Sequence, residues 1–162
     1  MTFSKEKIEY LPENTVCNTP PANAMRRIKF AIGVIVLLCA CFIYLCWRSD
    51  RINLYVWSGN IGLSSVIDFL RTNIGSFNPG TFVKNSLPDG LYCVAYILIM
   101  DCIWENTRRR TRIFMTLLIP AVAIVHEILQ YFNVVSGTFD SFDLLCYSLP
   151  VLVYLLLLRN HH

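Results

Sequence analysis

Charge is the scarce ingredient of this chain. Asp, Glu, Lys and Arg together make up 15% of its 162 residues, against 55% hydrophobic residues. That balance excludes a soluble domain of this size, and the mean hydropathy of +0.49 agrees. The formal net charge is only +3, and the cations sit beside apolar runs, where they anchor helices and meet anionic lipids, so nucleic acid is not an expected partner. CxxC pairs are absent although there are seven cysteines, so neither a structural zinc centre nor a disulfide framework is implied. Cys39, Cys41, Cys46, Cys93, Cys102 and Cys146 lie in or at the ends of apolar segments and read as small buried hydrophobes. GxSxG and HExxH motifs are missing, and no internal repeat argues for a repeat-built transporter. The expectation is therefore no cofactor and no metal.

Long apolar runs are what the chain does have. A spanning helix needs about 20 apolar residues to cross about 30 Å of hydrocarbon. Four windows qualify: Ile28 to Trp47, Leu87 to Trp104, Ile113 to Phe132 and Phe142 to Leu158. The first follows Arg26, Arg27 and Lys29 but is too long for the apolar core of a secretory signal, so it reads as an anchor. Asp89 and Asp101 bracket the second window and are expected in the headgroup region. Pro120 lies inside the third and leaves the Thr116 carbonyl without its helical donor.

Arginine placement orients the helices. Arg108, Arg109, Arg110 and Arg112 fill the connection between the second and third windows, whereas the connection between the third and fourth holds no basic residue. The positive-inside rule puts the first of these on the cytoplasmic side. The flanking cations agree except for Arg48 and Arg51 after the first window. The expected fold is thus an all-α membrane protein, a bundle of about four transmembrane helices with both termini cytoplasmic. Residues 1–25, with Pro12, Pro20 and Pro21, read as a mobile cytoplasmic tail ahead of a membrane domain over 26–162. In the first outer connection, Val66, Phe69, Leu70 and Ile74 recur at helical spacing and predict a short interfacial helix.

Against so apolar a background the polar residues from His126 to Asp143 stand out. An ionised side chain in a spanning helix costs about 2.5 to 3.5 kcal/mol on insertion scales, so each needs a partner or a role. The topology brings Asp89, Glu127, Gln130, Asp140 and Asp143 to the outer side, where they form the candidate ligand-binding set. Competing structural roles exist. Ser86 to Asp89 matches a helix-capping pattern, and Asp140 to Asp143 has the spacing of a cap with a reciprocal acid. Glu127 and Gln130 share a helical face with Tyr131 and have no helix start nearby to cap, while His126 points about 100° away. Gly137 permits a tight turn in the GTFD loop.

Glu127, Gln130, Phe132, Asp140 and Asp143, in the order E..Q.F.......D..D, resemble the motif of the VanZ-like family of small bacterial membrane proteins. The resemblance covers Leu87 to the C-terminus. Gly137, Tyr147 and Pro150 occupy places where the family carries arginine, asparagine and glycine, which marks a divergent branch. The resemblance implies a multi-pass protein of a bacterial cytoplasmic membrane and a link to glycopeptide resistance, with no catalytic role for any motif residue. Three functions follow as expectations. The first is a non-enzymatic envelope protein binding a lipid headgroup or cell-wall-related ligand in the outer polar pocket, with membrane lipids as its surroundings. The second is an accessory subunit or assembly factor paired with a membrane-protein partner. The third is an enzyme on a lipid-linked substrate, with Glu127 as general base and Asp143 orienting a water or metal.

Overall fold

The computed structural model describes residues 22–47, 57, 59–60, 62–74 and 77–160, and among them every regular element is helical. Most of the expected tail, with Cys17, and the pair Arg48 and Arg51 lie outside the described residues. The helices are α1 (Ala22–Trp47), α2 (Ser64–Ile74), α3 (Thr81–Ile103), α4 (Arg109–Tyr131) and α5 (Ser141–Asn160). All but α2 are long and apolar enough to cross a membrane, and they coincide with the four apolar windows.

Two helix starts differ from expectation. α1 begins at Ala22, inside the segment read as tail. Two of its cations are held there by acids on α3 and just beyond it, Arg26 towards Glu105 at 3.8 Å and Lys29 towards Asp101 at 3.9 Å. α3 begins at Thr81 rather than Leu87, with Gly80 at φ 86° before it. Pro88 removes only one bond from the ladder, that to the Lys84 carbonyl, so the helix already formed ahead of it continues. Asp89 consequently sits eight residues into α3, about 12 Å along its axis. No helix start exists at Ser86 for Asp89 to cap, and Ser86 is buried.

α3 is the hub. It packs against α1, α4 and α5, α4 and α5 pack against each other, and α2 rests on α1. Helix contacts that bring Lys29 to Asp101 at one end and Tyr44 to Asp89 at the other make α1 and α3 antiparallel. Arg112 and Tyr154 likewise run α4 and α5 alternately up and down. Lipid supplies no hydrophobic force to drive apolar helices together, so close backbone approach through small residues must do so. At Gly33 a Cβ would stand 2.9 Å from Ile99 Cγ1, and Ala40 and Ala95 are fully buried. At Gly90 it would stand 3.0 Å from the Cys146 Cβ of α5. Cys93, Ile97 and Tyr154 form the core, joined by Leu117, Tyr147 and Val151. Outward faces stay apolar and exposed, as Leu38, Phe114, Val122 and Leu149 show.

Pro120 lies within α4 and is buried. One residue before the Thr116 carbonyl that it strands, the Met115 carbonyl accepts from the Tyr96 hydroxyl at 2.9 Å. α2 forms where expected, but its packed face is rotated. Ile67 is buried, whereas Val66 and Phe69 of the expected stripe are exposed and only Leu70 and Ile74 are partly covered. The reason is a polar anchor: Arg71 Nε donates to the Leu45 carbonyl of α1 at 2.7 Å, which turns the 67/70/71/74 face inward.

Candidate functional site: two polar layers

Polar side chains gather at both ends of the bundle. Asp89 and Asp101 are twelve residues apart on α3, so the layers lie about 18 Å apart along the axis. That is well inside the roughly 30 Å hydrocarbon thickness, which makes pairing of these groups a condition of their presence.

The layer around Asp101 is balanced. Asp101 is buried, and its two oxygens accept from Arg112 Nε and an Arg112 terminal nitrogen, each at 2.6 Å. Tyr154 Oη donates to Oδ1 at 2.8 Å, and Lys29 Nζ stands 3.9 Å from Oδ2. One carboxylate thus gathers side chains from α1, α4 and α5 onto α3. The bidentate fork is the strongest geometry available to an arginine and a carboxylate. Sequence reasoning placed Asp101 in the headgroups and missed this cluster. A signal was present: an acid ending one helix and an arginine opening the next, eleven residues on, face each other across a short turn.

The opposite layer is acidic and only partly satisfied. Asp89 accepts from the Tyr44 hydroxyl at 2.6 Å, which replaces the expected capping role. Asp140 does cap α5: its Oδ1 accepts from the Phe142 amide at 2.9 Å and its carbonyl from the Leu144 amide at 3.2 Å. Asp143, three residues on, does not complete a reciprocal box. Its Oδ1 is instead buried without a hydrogen-bond partner among the described residues. Glu127 is buried, in the field of Asp143, His126 and Asp140. The Gln130 amide, oriented so that its nitrogen meets acceptors, donates to Glu127 Oε2 and to the Thr138 carbonyl, both at 3.3 Å.

Local backbone chemistry holds this arrangement. α4 ends in a Schellman motif, with Asn133 at φ 57°, its amide on the Gln130 carbonyl at 2.9 Å and the Val134 amide on the Leu129 carbonyl at 2.9 Å. Gly137 follows at φ 148°, and a Cβ there would land on the Gln130 amide. The turn therefore returns the chain directly over Glu127. Tyr131 departs from the face expected for it: it is exposed, with its ring edge-on to Phe132 and Phe139. His126 is exposed, and its Nδ1 lies 3.3 Å from the Gln130 amide.

The five expected residues thus fall at one end of the bundle, and Tyr147 of α5 stands in the field of Asp89, Asp143, Tyr44 and Glu127 together. Tyr44 and Tyr147 were not foreseen; tyrosines inside apolar windows, within reach of acids on neighbouring helices, were the available sign. Asp89 and Asp140 are engaged by Tyr44 and by the α5 amides, so Glu127 and Asp143 retain the spare acceptor capacity. A carboxylate offers acceptors only, so the arrangement suits a donor-bearing or cationic group. Among the described residues no group of three or more His, Cys, Asp or Glu side chains is placed to hold a metal ion. Comparison of the chain with protein-family models, with curated proteins and with solved structures finds no match in any of the three.

Proposed function

We propose that the protein is a non-enzymatic, multi-pass component of a bacterial cytoplasmic membrane that binds the amine-bearing headgroup of a lipid or lipid-linked cell-wall precursor between Glu127 and Asp143. The observation that carries this reading is the buried, unpartnered Asp143 Oδ1 beside the buried Glu127. Leaving a buried acceptor without a donor is costly, and an ammonium donor offsets that cost. The arginine-rich connection before α4 supports a topology with both termini cytoplasmic and the acidic layer on the outer side, the face on which envelope precursors are presented. The VanZ-like order of Glu127, Gln130, Asp140 and Asp143 supports the envelope assignment and a role in glycopeptide susceptibility.

The test is native mass spectrometry of protein extracted in mild detergent and supplied with phosphatidylethanolamine or phosphatidylcholine of matched chains. The primary ammonium donates three hydrogen bonds and the quaternary one none, so the wild type is expected to retain the ethanolamine lipid preferentially. Glu127→Gln, Asp143→Asn is expected to lose that preference while remaining helical by circular dichroism. Equal retention by wild type and variant overturns the proposal.

A further inference from the structure

The far end of the bundle carries a second feature, independent of the acidic layer. Where the N-terminal turns of α1 pass the C-terminal turns of α3, a groove of about 510 Å³ opens, lined by Asn23, Arg26, Arg27, Phe30, Cys102 and Ile103. Its lining is of two kinds. Asn23, Arg26 and Arg27 provide amide and guanidinium donors, while Phe30 and Ile103 leave 43% and 50% of their surface uncovered and form an apolar side. Arg26 lies about one helical turn, about 6 Å, before Phe30, which matches the polar layer of about 5 to 7 Å on each side of the hydrocarbon. The groove floor is fixed: Cys102 is buried and its Sγ lies 3.6 Å from the Arg26 carbonyl.

Charge selects the occupant. Among the described residues of this end, 22–29, 101–112 and Arg159 hold eight cations against two acids, Asp101 and Glu105. Asp101 is committed to Arg112, and Glu105 reaches Arg26 only at 3.8 Å. Arg27 is exposed and forms no ion pair among the described residues. We propose that this groove is a binding site for an anionic phospholipid, its phosphate held by Arg26, Arg27 and Asn23 and its acyl chain laid along Phe30 and Ile103. Basic pockets between membrane helices are favoured sites for such headgroups.

Each cation near a membrane surface strengthens anionic lipid binding roughly fivefold, so two arginines contribute about thirtyfold, and about tenfold after allowing for Glu105. The experiment titrates detergent-solubilised protein with phosphatidylglycerol or phosphatidylcholine of matched chains and reads adduct affinity by native mass spectrometry. Wild type is expected to prefer phosphatidylglycerol by at least about tenfold. Arg26→Gln, Arg27→Gln is expected to lose that preference, whereas Arg108→Gln, Arg110→Gln, with equal loss of charge outside the groove, keeps it. Ile103→Trp fills the groove with every charge in place and is expected to weaken phosphatidylglycerol as well, which decides the matter if the arginine variant misfolds. Equal affinity for the two lipids overturns the proposal. So does an equal loss in the Arg108 and Arg110 variant, or unchanged binding in Ile103→Trp. Inorganic phosphate binding as tightly as the lipid overturns it too, because the apolar side would then contribute nothing.

Discussion

Replacing Asp101 by leucine is expected to destabilise the bundle by about 3 kcal/mol, and the size of the effect follows from the geometry. Asp101 accepts three short bonds, two at 2.6 Å from Arg112 and one at 2.8 Å from Tyr154. Polar contacts between membrane helices average about 0.6 kcal/mol each, so three independent ones sum to about 2 kcal/mol. Removing one partner of a buried ion pair costs more, about 3 to 5 kcal/mol, because the other charge is stranded. The Arg112 side chain keeps 22% of its surface and lies near the start of α4, so it partly rehydrates and the lower end of that range applies. The double variant Asp101→Leu, Arg112→Leu strands no charge and is expected to recover about 2 kcal/mol of the loss. Lys29→Gln is the internal control: at 3.9 Å and 41% exposed, its contact is expected to contribute less than about 0.5 kcal/mol. The assay is sodium dodecyl sulfate titration of protein in mild detergent, followed by far-ultraviolet circular dichroism, run as a double-mutant cycle. A double variant whose loss equals the sum of the two single losses would refute the clamp, as would Asp101→Leu within 0.5 kcal/mol of wild type.

Substitutions at two further positions separate structural from ligand roles in the acidic layer. Asp140→Ala is expected to lose about 1 kcal/mol of stability, whereas Asp140→Asn, an equally good cap, leaves the unfolding midpoint unchanged; equal losses in both would mean that charge rather than capping is what matters there. Gly137→Ala places a Cβ on the Gln130 amide at a backbone angle that suits glycine, so a loss of about 1 to 2 kcal/mol is expected together with weaker retention of the ethanolamine lipid; full retention would show that the turn does not position Glu127 through Gln130.

The spans, their order and the helical connector were legible because each depends on the length or period of a local apolar run. Boundaries were not, since Pro88 and the Arg26 to Lys29 cluster carry helix-ending or solvent-seeking signals that tertiary partners override. Asp140 shows how local rules succeed: a cap needs only its own next two residues. Asp143 shows where they stop, because its Oδ1 is buried without a hydrogen-bond partner among the described residues instead of meeting the Asp140 amide.

Composition and spacing alone determined that this chain is a helical membrane protein with acidic groups collected towards one end and cations towards the other. Hydropathy and charge are summed along the chain, and no fold is needed to read them. Only the tertiary structure decided that α3 is the hub, that Asp101 binds three neighbouring helices, that Tyr44 rather than a helix start satisfies Asp89, and that Asp143 keeps a buried oxygen in reserve. Each of these depends on the rotation of one helix against another, and a shift of a single residue turns a side chain by about 100°, from lipid to core.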